Sequence, residues 1–306
     1  MWLKFGVDAD NNLVAIEDVP SGKTDLTCIY CGGFLTAKKG KVKAHHFAHT
    51  EETCYPVSNR SIPTLPLYDN FNIRLSGKEL QQLKQLWREY RNTDYSIPVV
   101  PFRLTLRGLF VWNSQQGGYD FTPLGKIPVG ALPLAEFNQV QEPLLLESLA
   151  KLQGAAERAQ ILKSSSLEQR LADFRLYRAQ LRRILEFTLY FLRVQTEQET
   201  LHKIGVTRRS ISERVAEVER DLLKHYQHIE IQVLGTWEHR GNVELYFKHR
   251  YRAFNYPIGS LTEYFKFSAV EPVLQDLCQM PEKVLSAEEL EIWQGDSVAF
   301  EVMSNE

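Results

Sequence analysis

An α+β architecture is predicted from three observations. Stretches of alternating apolar and polar residues occupy 1–20 and 97–137, and two strands are read around Gly40. Apolar residues recur at helical spacing from about 141 to 187. From 187 to 250 the pattern switches repeatedly, reading as strand, turn, strand, helix, strand, helix. The expected parts are an N-terminal knuckle and hairpin (1–60), a small mixed region (61–140), a helical connector (141–186), a three-stranded antiparallel sheet flanked by helices (187–268), and an acidic helical tail (269–306).

Residues 1–20 alternate loosely around Asp10-Asn11-Asn12, which predicts a hairpin. Cys28-Ile29-Tyr30-Cys31-Gly32-Gly33 is a C-x-x-C knuckle closed by glycines. Two strands are expected around Gly40, carrying Lys38, Lys39, Lys41 and Lys43, and His45-His46-Phe47-Ala48-His49 and Cys54 follow. Three of the four cysteines therefore cluster with histidines, which favours a metal in a reducing compartment over a disulfide scaffold. A zinc ion needs four soft or borderline ligands. The knuckle offers Cys28 and Cys31, and one turn of chain offers His46 and His49. Cys54 competes for the fourth place, with His45 as a spare. Four protein ligands leave no position for a catalytic water, so the expected role is structural. The bland alternative is a reduced knuckle beside exposed histidines. Strand alternation puts Lys39, Lys41 and Lys43 near one face, suited either to phosphate contact or simply to solvent.

Residues 55–76 read as a linker with Pro56, Pro63 and Pro66. A helix is predicted over 77–91, with Leu80, Leu83, Leu86, Trp87 and Tyr90 on one face. The segment 97–137, rich in glycine and proline, predicts a small antiparallel sheet turning at Gly117-Gly118, with no chemistry attached. Leu145, Leu149, Leu152, Ala156 and Ala159, then Leu167, Leu171, Phe174, Leu181 and Leu185, predict two helices broken at Ser164-Ser165-Ser166. They pack as a hairpin or offer a homodimerisation face.

Phe187–Val194 and Leu201–Val206 read as paired strands, and Ser210-x-x-Glu213 as a capping box opening a helix to about 225. Ile229–Trp237 is a third strand, after which Asn242 is placed to cap a helix with Glu244 in its first turn. Polar residues fall at or near the element ends, as in a small catalytic site on a rigid frame. Phosphodiester cleavage needs an activated water, charge on the phosphoryl group and often a metal held by carboxylate. Tyr190, His202, Lys203, Arg214 and Glu244 supply those residue types. Arg240, Lys248, His249, Arg250 and Arg252 interleave with Tyr246, Phe247 and Tyr251, which suits either nucleic-acid contact or an amphipathic helix with a solvated face.

Tyr190 on one strand, Lys203-Ile204-Gly205-x-Thr207 on the next, Arg214 in the following helix and Glu244 in a later one resemble the GIY-YIG nuclease superfamily. The closest likeness is to its diverged phage-type DNA-binding branch with a KIG-type second motif, over roughly 186–268. The resemblance implies that Glu244 holds a divalent ion, Mg²⁺ first, because one carboxylate plus waters and phosphate suits it. It implies that Arg214 holds the phosphate, that Tyr190 acts as base or positions the water, and that Lys203 or His202 stands in the second-motif tyrosine's place. Glu263-Tyr264-Phe265 matches a Glu-aromatic-Phe signature of the same branch. The chain departs from the pattern in lacking the first-motif glycine before Tyr190 and the second-motif tyrosine. The gap to Arg214 is also slightly long, which makes Arg208 and Arg209 rival phosphate ligands. Separately, the knuckle, lysine-rich hairpin and H-F-A-H resemble the N-terminal zinc finger of the competence protein CoiA family. The implied partner is nucleic acid, DNA first, met by Lys39, Lys41, Lys43, Arg208, Arg209, Lys248 and Arg250.

The totals fit this reading. At 306 residues, 43% hydrophobic and 24% charged, the chain has the composition of a folded protein of about two domains. A net charge of -2 confines any nucleic-acid surface to a local patch. No apolar run is long enough to span a membrane and no leader pattern opens the chain, so the expected location is cytoplasmic. The tail is acidic, Ser286-x-x-Glu289 caps a short helix in it, and Cys278 is expected to be a buried thiol.

Overall fold

The computed structural model describes residues 3–40, 44–59, 61–65 and 75–294. It is a mixed α+β chain that divides into two compact units. Unit 1 combines Met1–Leu65 with Leu145–Leu181, and unit 2 combines Pro66–Leu144 with Arg182–Glu306.

Unit 1 holds β1 (Phe5–Val7), β2 (Leu13–Ala15), β3 (Gly22–Thr27), β4 (Phe34–Lys38), β5 (His46–His49) and the short α1 (Tyr55–Ser58). The strands form an antiparallel sheet ordered β2-β1-β3-β4-β5. The expected first hairpin is β1–β2. Asp8 Oδ1 accepts the N–H groups of Asp10 and Asn12 at 3.0 and 2.7 Å, and Asn11 takes φ 62°, a turn that favours Asn. The strand expected after Gly40, at 41–44, falls largely outside the described residues, and β4 pairs with His46–His49. Leu3, Phe5, Ile16, Leu26, Leu35 and Phe47 bury together with Leu176.

In unit 2, α2 (Gly77–Tyr90) starts on a capping box between Ser76 and Glu79. The sheet expected over 97–137 is only partly present. Phe102–Leu106 is a helix, α3, and the strands are β6 (Phe110–Asn113) and β7 (Gly118–Phe121), joined through Gly117 at φ +66°. Pro101 at the N-cap position and Gly108 at φ +70° bracket the helical turn, and this punctuation overrides the alternating pattern. After α4 (Pro123–Lys126) come the two long helices, α5 (Leu134–Ile161) and α6 (Leu167–Glu186). The division between units falls inside both of them, at Leu145 and after Leu181.

The predicted strand and helix pattern beyond 187 holds, as β8 (Thr188–Thr196), β9 (Thr200–Thr207), α7 (Ile211–Leu222), β10 (Ile229–Trp237) and α8 (Val243–Arg250). The expected three-stranded sheet has four strands. The extra one, β11 (Tyr264–Phe265), pairs with β9 and gives the order β10-β8-β9-β11. Two residues are too few to show a period-2 signal. The tail forms α9 (Glu271–Cys278) and α10 (Ala287–Gln294), and the Ser286–Glu289 capping box forms. Cys278 is exposed rather than buried. Asn242 does not cap α8; its side-chain amide donates to Asn138 and Gln141 at 3.0 and 2.7 Å instead.

Alternation gives the four-stranded sheet two distinct faces. Tyr190, Leu192, Val194 and Leu201 pack with Val218 and Leu222 of α7, while Leu189, Phe191 and Ile204 pack with Val243, Tyr246 and Phe247 of α8. No helix among the described residues is long and apolar enough to cross a membrane.

Candidate functional site

In unit 1, Cys28, Cys31, His49 and Cys54 bring one ligand atom each to within 4.8 Å of one another. The knuckle is shaped by Cys28 N–H donating to Gly33 O and Gly32 N–H donating to Cys28 O, with Gly32 at φ +70°. Pairing of Leu35 with His49 brings the end of β5 alongside, and Cys54 stands at the N-cap of α1. Cys28 and Cys54 Sγ are 3.9 Å apart, and Cys31 Sγ is 3.3 Å from His49 Nε2. With metal–sulfur and metal–nitrogen bonds of about 2.3 and 2.0 Å, a tetrahedron has edges of about 3.8 and 3.6 Å, so the donor set fits a zinc-sized ion. Burial lifts the Cys28 thiol to about 12, so a thiolate there needs a cation beside it.

His46 is not part of this cluster. His46 and His49 lie on one strand at an odd separation and so point to opposite faces, and His46 Nδ1 donates to Ala44 O at 2.8 Å. Cys54 takes the place expected for it. Sequence reasoning also missed Tyr30, inside the knuckle, whose hydroxyl donates to Asp173 of α6 at 2.7 Å. Of the hairpin lysines, Lys39 donates to the Glu17 carbonyl at 3.1 Å, and Lys41 and Lys43 lie outside the described residues.

In unit 2, Tyr190 and Arg214 belong to one polar group, and Lys203 and Glu244 to a second. Tyr190 is fully buried and pairs with Gly205, where an added Cβ would sit 2.3 Å from the Tyr190 hydroxyl. Only glycine lets the ring lie across β9 there. Arg214 Nε donates to that hydroxyl at 2.9 Å, and its Nη1 donates to Glu217 at 2.7 Å. Lys203, also buried, donates to Glu263 at 2.7 Å and stands 4.8 Å from the Tyr264 ring centre. Lys248 joins Glu263 at 2.8 Å to Glu244 at 3.0 Å.

The electrostatics follow from this geometry. Burial pushes the Tyr190 hydroxyl up against the opposing Arg214 charge, with Glu263 and Glu244 adding to the rise, so it is a neutral phenol at neutral pH. Burial pushes Glu263 up too, but the Lys203 and Lys248 ammoniums outweigh it and hold the carboxyl at about 2. Burial lowers Lys203 and raises Glu244. Glu217, which ties Arg209 as well as Arg214, was not singled out from sequence, and Glu263 was left without a role.

Other expected site residues are engaged in different ways. His202 alternates with Lys203 and faces Phe191 and Phe267, with ring centres 5.5 Å from each. Neither of its ring nitrogens has a hydrogen-bond partner among the described residues, and burial drops its pKa from 6.5 to about 4. Lys248 is held internally between two carboxylates. Arg250 donates to Asp276 at 2.7 Å and to Gly130 O at 3.1 Å, so it braces the fold. Arg208 lies 3.5 Å from Glu186.

His202→Phe is expected to raise the thermal midpoint, because it removes two unsatisfied buried nitrogens at about 1–3 kcal/mol. It should also flatten acid sensitivity. Between pH 6.5 and about 4 the unfolded chain protonates this histidine and the folded chain does not, so stability falls as pH drops through that window. Midpoints measured from pH 7 to 4.5 on both proteins check this.

Comparison with known protein families, with curated proteins and with solved structures finds no match for this chain.

Proposed function

We propose that the chain is a metal-dependent endonuclease of GIY-YIG type that hydrolyses DNA phosphodiester bonds, with a structural zinc finger in unit 1 assisting nucleic-acid or partner binding. The observation that carries the reading is the Arg214–Tyr190 hydrogen bond of 2.9 Å, made possible by Gly205. It joins three of the resembling motif positions. The charges of Glu244 and Glu263 also act on Tyr190.

Glu244 is half-buried and already draws an ammonium, Lys248, onto one oxygen. That donor fits a hard cation, with Lys248 passing to Glu263, to which it is already bonded. Glu244 would hold Mg²⁺ together with waters and phosphate oxygens, and the ion would place Lewis-acid charge on the phosphoryl group. Arg214 offers a planar fork to the phosphate once its Nη1 leaves Glu217. Tyr190, fully buried, would act through Arg214, holding the guanidinium by its hydroxyl oxygen. Lys203, buried and fixed by Glu263, adds positive charge with little reorganisation.

A divalent-dependent nicking assay on wild type, Arg214→Ala and Glu244→Ala tests this. Each variant is expected to lose about 100-fold or more in rate. Metal-dependent cleavage kept by both would sink the site. A second reading, a DNA-binding protein of the same fold without cleavage, is favoured by one observation. Glu217 engages both Arg209 and Arg214, and Lys248 engages Glu244, so the chemistry-bearing charges are satisfied internally. Salt-sensitive binding without nicking under any divalent ion selects that reading.

A further inference from the structure

A cavity in unit 2, of about 340 Å³, shares no lining residue with the Tyr190–Arg214 site. It lies between the last turn of α2, the 93–97 loop, β7 and the end of α4. Five aromatic rings line it, those of Trp87, Tyr90, Tyr95, Tyr119 and Phe121. The rings hold one another edge-on. Trp87 meets Phe121 at 5.1 Å and 85°, and Tyr90 meets Tyr95 at 6.1 Å and 88°. Tyr90, Tyr119 and Phe121 also pack against the core, which holds the ring group in place. Tyr95 is 65% exposed.

The polar groups divide into two kinds. Asp120 is consumed internally, accepting from Ser96 at 2.6 Å and from Asn113 at 2.7 Å. Arg91, Lys126 and the Asp94 carboxylate have no hydrogen-bonding or ion-pair partner for their side chains among the described residues.

We propose that this cavity binds one nucleobase of single-stranded nucleic acid. An exposed aromatic ring such as Tyr95, braced edge-on by Tyr90, stacks any base, and unpaired cations at the same cavity suit the adjoining phosphates. The Asp94 carboxylate can accept from an exocyclic amino group. The volume lies at the small end of the roughly 300–1,000 Å³ range of ligand sites, so it takes a single nucleotide rather than a length of strand. A neutral sugar or an apolar peptide side chain would leave both cations unused. The proposal rests on the reading that the chain handles nucleic acid, and it gives the 61–140 region a role.

The test uses the full chain and a single-stranded oligodeoxynucleotide with a central 2-aminopurine, whose fluorescence falls on stacking. Wild type is expected to quench it. Tyr95→Ala, at an exposed position, should bind about tenfold more weakly. Arg91→Ala should show a shallower salt dependence. The proposal is overturned if wild type does not quench, or if Tyr95→Ala and Arg91→Ala both behave as wild type. Cleavage that survives while the pocket variants change nothing removes the pocket alone. Quenching lost in Tyr95→Ala, with no nicking by wild type, keeps the pocket and removes the nuclease.

Discussion

Cys54→Ser and Cys31→Ser are each expected to take the bound metal from one ion per chain to near zero, whereas His46→Ala keeps it. The cluster is Cys28, Cys31, His49 and Cys54, and His46 is turned to the other side of β5. A structural zinc site contributes about 10–16 kcal/mol of apparent folding free energy in small metal-nucleated domains. Here Phe5, Leu35 and Phe47 supply a core of their own, so the loss should be smaller but still large. A fall of about 10 °C or more in the transition that reports unit 1 is expected. Metal content by mass spectrometry and thermal scans with and without chelator check it. If His46→Ala lost the ion and Cys54→Ser kept it, the ligand set would be wrong.

Gly205→Ala is expected to disable the second site without touching a charged residue. Its Cβ would lie 2.3 Å from the Tyr190 hydroxyl and 2.5 Å from the ring carbon that bears it. The ring is fully buried between β9 and α7, so it cannot swing out cheaply, and overpacking of this kind costs about 1–3 kcal/mol. Displacing the ring also breaks the bond to Arg214. DNA nicking, or binding if the chain does not cut, should fall at least about tenfold. Tyr190→Phe, which keeps the ring and loses only the hydroxyl, should retain wild-type stability to within about 1.5 kcal/mol. A Gly205→Ala protein with unchanged midpoint and activity would show that the Tyr190–Gly205 packing does not matter.

The two sites were legible in the sequence to different depths. Strands β8, β9 and β10 and helix α7 were readable because long apolar periods and a capping box agree locally. The C-x-x-C knuckle was readable because its ligands are neighbours in sequence. The remaining candidate metal ligands were harder to place. Choosing between His46 and Cys54 depends on whether H-F-A-H is a strand or a turn, which its four residues do not decide. His202 against Lys203 is a question of sheet face, settled only by where α7 and α8 pack. Lys248 and Arg250 look like solvent-facing cations on an interleaved helix. Their partners, Glu263 and Asp276, come from later segments that no local pattern links to α8. β11 shows the same limit, since two residues acquire meaning only by pairing with β9.

The metal knuckle belongs to a unit that is discontinuous along the chain. Unit 1 closes only when Leu145–Leu181 joins Met1–Leu65, bringing Leu176 into the core and Asp173 to Tyr30. The finger is therefore not a portable module. A recombinant piece ending near residue 60 would carry all four ligands yet lack part of the wall behind them. During synthesis the ligands emerge early, but their unit must wait for more than a hundred further residues. Over that interval the metal, rather than the core, would be the main constraint on the segment's shape.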